Sequence, residues 1–110
     1  MKLIVAIVQD EDSGRLVSEL MDKGFGVTKL ATTGGFLRAG NTTLISGVED
    51  EKLDDALAVI TDICKSREQI TATTTPMSGS TGGVYVPYPV RVTVGGATVF
   101  VLEVSQFLKV

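Results

Sequence analysis

The residues best suited to do chemistry are gathered in one run, from Thr28 to Thr43. Within it, Gly34, Gly35 and Gly40 leave backbone N–H groups accessible and let a ligand approach closely. Phe36 and Leu37, if they face solvent, offer an apolar plate for a planar ring, while Thr28 and Asn41 supply short-range hydrogen bonding. An Asn carboxamide presents a donor and an acceptor side by side, which matches the edge of adenine. The set suits a nucleobase better than a sugar or an amino acid. The same residues admit a plainer reading, in which Phe36 and Leu37 cap the core and the glycines make turns, and residue types alone leave both open. Lys29 and Arg38 could pair with phosphate, although single basic residues are more often solvated surface charges.

Side-chain catalysis has little to draw on. The 110-residue chain has no His, no Trp, 5% aromatic residues and one cysteine, Cys64. Ser-His and Cys-His nucleophiles are thereby excluded, and the usual zinc and iron–sulfur donor sets are missing. Cys64 falls on an apolar helical stripe and reads as an inert core thiol. One cysteine builds no disulfide framework, which points to a reducing cytoplasm. The net charge of -3 argues against a nucleic-acid surface. The acidic run after Gln9 (Asp10, Glu11, Asp12) could be a cation site, but a helix start explains it with less. The apolar opening Met1–Val8 is too short to cross a bilayer, so no membrane insertion is expected.

The elements that must position these residues follow from periodicity. Leu3–Val8 is six consecutive apolar residues, mostly β-branched, and predicts a strand. Asp10 or Asp12 then serves as N-cap to a helix carrying Leu16, Val17, Leu20 and Met21 at helical spacing, with Gly24 at its C-terminal turn. Gly26–Thr32 is a second strand, Gly34 to Gly40 a loop, and Asn41–Val48 a third strand. Glu49-Asp50-Glu51 opens a second helix with Leu53, Ala56, Leu57, Ile60, Ile63 and Cys64 on one stripe. Val8-Gln9-Asp10-Glu11 and Val48-Glu49-Asp50-Glu51 echo one another 40 residues apart. Two strand–helix–strand units in one chain predict an α+β, ferredoxin-like split βαβ domain spanning residues 1–110, with an antiparallel sheet and two helices on one face.

Beyond the second helix the composition changes. Of the 13 residues from Thr71 to Gly83, 11 are Thr, Ser, Gly or Pro, which predicts a long loop at about 70–86. Val90–Val94, a Gly95-Gly96 turn and Thr98–Val104 then read as a β-hairpin. Two helices cover only one face of a sheet, yet Leu3–Val8 and Val99–Leu102 are apolar on both faces. The second face is expected to be buried against other copies of the chain, making a homo-oligomer.

At these residues the chain resembles the PII-like cyclic di-AMP receptor family of small bacterial signalling proteins. The matching stretches are Ile7-Val8-Gln9-Asp10, the run Lys29–Thr43, Arg67-Glu68-Gln69, Pro76-Met77, Pro87-Tyr88-Pro89-Val90 and Val94–Val101. The resemblance implies a homotrimer of ferredoxin-like subunits with one cyclic di-AMP at each subunit interface and no enzymatic activity. It also implies no cofactor, a cytoplasmic location, and ligand-ordered loops that alter contact with an unknown downstream protein.

Carried over by residue, the family's ligand contacts fall on Thr28, Gly35, Phe36, Leu37, Asn41 and Gly47, with Phe100 from the neighbouring subunit. Thr28, Asn41 and backbone near Gly35 and Gly47 would read one adenine, and Phe36 and Phe100 would pack on purine faces. Two positions depart from the pattern. Gly26 stands where members often carry an arginine, and Lys109 where a glutamine is common; Lys109 could supply a phosphate contact as a flexible point charge. Two alternatives remain: a PII-type sensor of ATP, and an acylphosphatase-like enzyme using Arg38 and Asn41. The second is disfavoured by the carboxylates of Asp10, Glu11 and Asp12, where that chemistry needs a phosphate-cradling loop.

Overall fold

The computed structural model describes residues 1–30, 40–76 and 85–110. The chain runs through β1 (Lys2–Gln9), α1 (Asp10–Asp22), β2 (Thr28–Leu30), β3 (Asn41–Val48), a single 3-10 turn (Asp50–Lys52) and α2 (Leu53–Cys64). Then come β4 (Arg67–Pro76), β5 (Tyr85–Val94) and β6 (Ala97–Glu103). Four strands form one sheet in the order β2-β3-β1-β6, every neighbouring pair antiparallel. β1 and β2 therefore run parallel with β3 between them, and β3 and β6 run parallel with β1 between them. These are the two split βαβ units of a ferredoxin-like fold, and β4 and β5 pair as a separate two-stranded ribbon inserted ahead of β6.

The core forms because alternate residues of the central strands and one stripe of each helix are apolar. Ile4, Ala6 and Val8 of β1 and Leu44 and Val48 of β3 pack with Leu16 and Leu20 of α1 and Ala56, Val59, Ile60, Ile63 and Cys64 of α2. Both helices thus lie on one face. The end of α1 is a Schellman motif: Gly24 has φ +89°, its N–H bonds the Met21 carbonyl at 3.0 Å, and Phe25 N–H bonds the Leu20 carbonyl at 2.9 Å. No helix among the described residues is long and apolar enough to cross a membrane.

Three expectations are corrected. The N-cap of α1 is Gln9, in extended conformation, and makes no side-chain cap bond; Asp10 is the first helical residue. The Asp10 carboxylate instead accepts the Thr42 hydroxyl, and Asp12 is buried against Arg67, with the shorter contact at 2.9 Å. Of the stretch expected as a loop, residues 70–76 and 85–86 are strand, and residues 77–84 lie outside the described residues: β4 runs to Pro76 and β5 begins at Tyr85, paired from Arg67↔Val94 to Pro76↔Tyr85. The hairpin expected between Val90–Val94 and Thr98–Val104 does not form. β5 pairs with β4 and β6 with β1, so Gly95-Gly96 is a corner between two sheets, with φ of 84° and 92°. The loop expected from Gly34 to Gly40 lies outside the described residues except for Gly40.

Candidate functional site

The face of the sheet away from the helices carries the sequence-predicted residues. Cross-strand register sets them in rows. Thr28 opposes Ile45, Ile45 opposes Val5, and Val5 opposes Phe100. The next row is Leu30, Thr43, Ile7 and Thr98, and beyond it Asn41 opposes Gln9. On the other side of the Thr28 row stand Gly47, Leu3 and Leu102. This face is apolar at its centre and open at its β6 edge, where Phe100 is 54% exposed and Leu102 48%.

Some of the predicted residues are neighbours and others are far apart. Thr28 and Gly47 lie close, because Thr28 pairs two residues before Gly47 on β3. A Cβ on Gly47 would meet only the Met1 sulfur at 3.9 Å, so nothing in this subunit demands glycine there. Gly26 joins this end through its carbonyl, which accepts the Ser46 hydroxyl at 2.6 Å. Asn41, half-buried, starts β3 at the opposite end of the face. Phe100 is on the far edge strand, roughly 14 Å from Thr28 at three inter-strand spacings. Lys109 is exposed in the segment after β6. Gly35, Phe36 and Leu37 lie outside the described residues.

Sequence reasoning passed over the corner beside Asn41. A cavity of about 320 Å³ is lined there by Ile7, Gln9, Asn41, Gly95, Gly96, Ala97 and Thr98. The Gln9 side-chain oxygen accepts the Gly95 N–H at 2.7 Å. The signal was present in β1, where the apolar row Leu3, Val5, Ile7 ends on a carboxamide.

Charge near this corner is committed elsewhere. The Arg67 guanidinium donates to the Asp12 carboxylate at 2.9 and 3.5 Å and to the Lys65 carbonyl at 3.2 Å. That bond to Asp12 raises the guanidinium pKa above its ordinary value. Asp12 and Asp10 thus serve Arg67 and Thr42. Burial, with the Asp12 charge adding to it, pushes the Cys64 thiol up to about 11, which keeps it protonated and unreactive.

A crystal structure of a functionally unknown protein from Pediococcus pentosaceus ATCC 25745 is 42% identical, with 99% of this chain and 96% of that chain covered and a TM-score of 0.76. A family model described as cyclic-di-AMP receptor matches residues 1–110. That match spans the whole chain, on a fold and an open sheet face of the kind described, and the chain belongs to the cyclic-di-AMP receptor family.

Proposed function

We propose that this chain is a non-enzymatic signalling receptor that binds cyclic di-AMP at the interfaces of a homotrimer in the cytoplasm. The observation that carries this reading is the division of the predicted contacts on the open face. Thr28 and Gly47 lie towards the β2 edge and Phe100 lies on the β6 edge, with two strands between. One purine cannot span both within a subunit, whereas packing a second copy against the face brings the Phe100 of one subunit to the Thr28 side of another. That packing also covers Leu3, Val5, Ile7, Ile45 and Leu102, an apolar surface that a lone subunit would leave to water.

In this reading Thr28 and Gly47 meet the ligand at one end of β3 and Asn41 meets a base edge at the other, with Gly35, Phe36 and Leu37 as further contacts and Phe100 stacking from the partner. Gly26 removes one cation from the site and Lys109 offers another. Binding orders the neighbouring loops and changes contact with a downstream protein.

Calorimetry with cyclic di-AMP, cyclic di-GMP and ATP, together with light scattering, tests this. The expected result is a trimer that binds cyclic di-AMP selectively, with Asn41→Ala weakening binding by about 1–3 kcal/mol. A monomer at micromolar concentration, or ATP bound in preference to cyclic di-AMP, overturns it.

A further inference from the structure

The β4–β5 ribbon is fastened to the domain at its root, and no other element packs along the length of either strand among the described residues. Arg67 at the start of β4 grips Asp12 of α1. The Gly96 N–H bonds the Cys64 carbonyl at the end of α2, and the Gly95 N–H bonds Gln9 at the end of β1. The first two ties end on the helical layer. Only the third ends on the open face, and its acceptor is the direct cross-strand partner of Asn41.

We propose that Gln9 is the positioning residue that couples occupancy of the Asn41 end of the site to the orientation of the β4–β5 ribbon. A carboxamide has an accepting oxygen and a donating NH2 fixed in one plane, so turning one end turns the other. The oxygen holds Gly95, and the side chain shares with Asn41 the wall of the 320 Å³ cavity. A base edge seated against Asn41 meets the Gln9 carboxamide in the same cavity. Any rotation it imposes tightens or releases the Gly95 N–H. Gly95 and Gly96 both have positive φ and form the corner at which the ribbon joins the sheet, so a change there redirects the whole ribbon.

This inference rests on the receptor reading above, and its test separates the two. Hydrogen exchange of residues 67–94 is followed in wild type, Gln9→Leu and Gln9→Glu, each with and without cyclic di-AMP at a concentration that calorimetry shows to be saturating. In wild type the nucleotide is expected to change exchange across the ribbon by tenfold or more. Gln9→Leu, which removes the acceptor, reduces that change below twofold, and Gln9→Glu, which keeps the oxygen for Gly95 on a chain of equal length, holds the ligand-free exchange of the ribbon within twofold of wild type. An undiminished response in Gln9→Leu, or a saturated wild type with no ribbon response, overturns the coupling and leaves the receptor reading intact. Absence of cyclic di-AMP binding by wild type overturns both. The wild-type Gly95 amide gives a reading that needs no variant: its exchange shifts on nucleotide addition, and an invariant amide overturns the proposal.

Discussion

The four-stranded sheet and the β4–β5 ribbon are both antiparallel ladders of long strands, yet different forces hold them. The sheet has a helical layer on one face and buries Ile4, Ala6, Val8, Leu44 and Val48 beneath it. The ribbon has ten-residue strands, with Ile70 67% exposed on one of them, and a root of three polar ties. A two-stranded ladder without a packed face is marginal in water, whereas one layered under helices is not. The sheet is thus the rigid frame of the site, and the ribbon takes its orientation from its root.

The largest expected effect breaks the frame. Leu16 is fully buried, so Leu16→Ala should cost about 4 kcal/mol in urea unfolding. A cost below 1 kcal/mol would mean that the helical layer is not what holds the sheet.

Next comes a pH effect at the boundary of the two regions. Burial pushes the folded Cys64 thiol from its ordinary value of 9.0 up to about 11, so the unfolded chain loses this proton first as pH rises. The stabilisation is fully present below pH 9 and is lost on the way to pH 11, at up to about 1.4 kcal/mol per pH unit. Urea midpoints of wild type and Cys64→Ala across that range should converge as pH rises, and parallel curves would contradict the assignment.

A smaller effect sharpens the picture of the root. A Cβ on Gly95 would stand 2.6 Å from an Arg67 guanidinium nitrogen and 2.7 Å from the Lys65 carbonyl oxygen, at a φ of +84°. Gly95→Ala should cost about 2 kcal/mol, and hydrogen exchange should speed up in residues 67–94 more than in β1. The smallest effect is in the ribbon itself: Ile70→Ala should stay within about 0.5 kcal/mol in the same urea assay. A larger loss would show that Ile70 is buried in the assembled protein.

Much of the frame was readable from local pattern. The apolar run of β1, the stripes at Leu16 and Leu20 and at Ala56, Ile60 and Ile63, and Gly24 after α1 each carry a short-range physical cause. The ribbon was harder to read because strand pairing is a long-range choice. Val90–Val94 could pair forward with Thr98–Val104 or back with Arg67–Thr71, and two glycines suit either a tight turn or a corner. The Thr-rich composition that suggested a loop is also β-branched at Thr71, Thr73, Thr74 and Thr75, which favours strand once a partner is supplied. Asp12 read as a cap because its true partner, Arg67, is 55 residues away. In the site, Thr28 and Asn41 were named from residue type. Gln9 was not, because its importance comes from Gly95, 86 residues on.

The length of the ribbon has a mechanical consequence. Nine residue steps separate Arg67 from Pro76, roughly 30 Å of strand. Swung as a unit, an arm of that length turns a ten-degree rotation at Gly95 into a sweep of about 5 Å at Pro76 and Tyr85. A displacement too small to disturb the packing of the sheet would thus be amplified, at the far end of the arm, to the size of an amino-acid side chain.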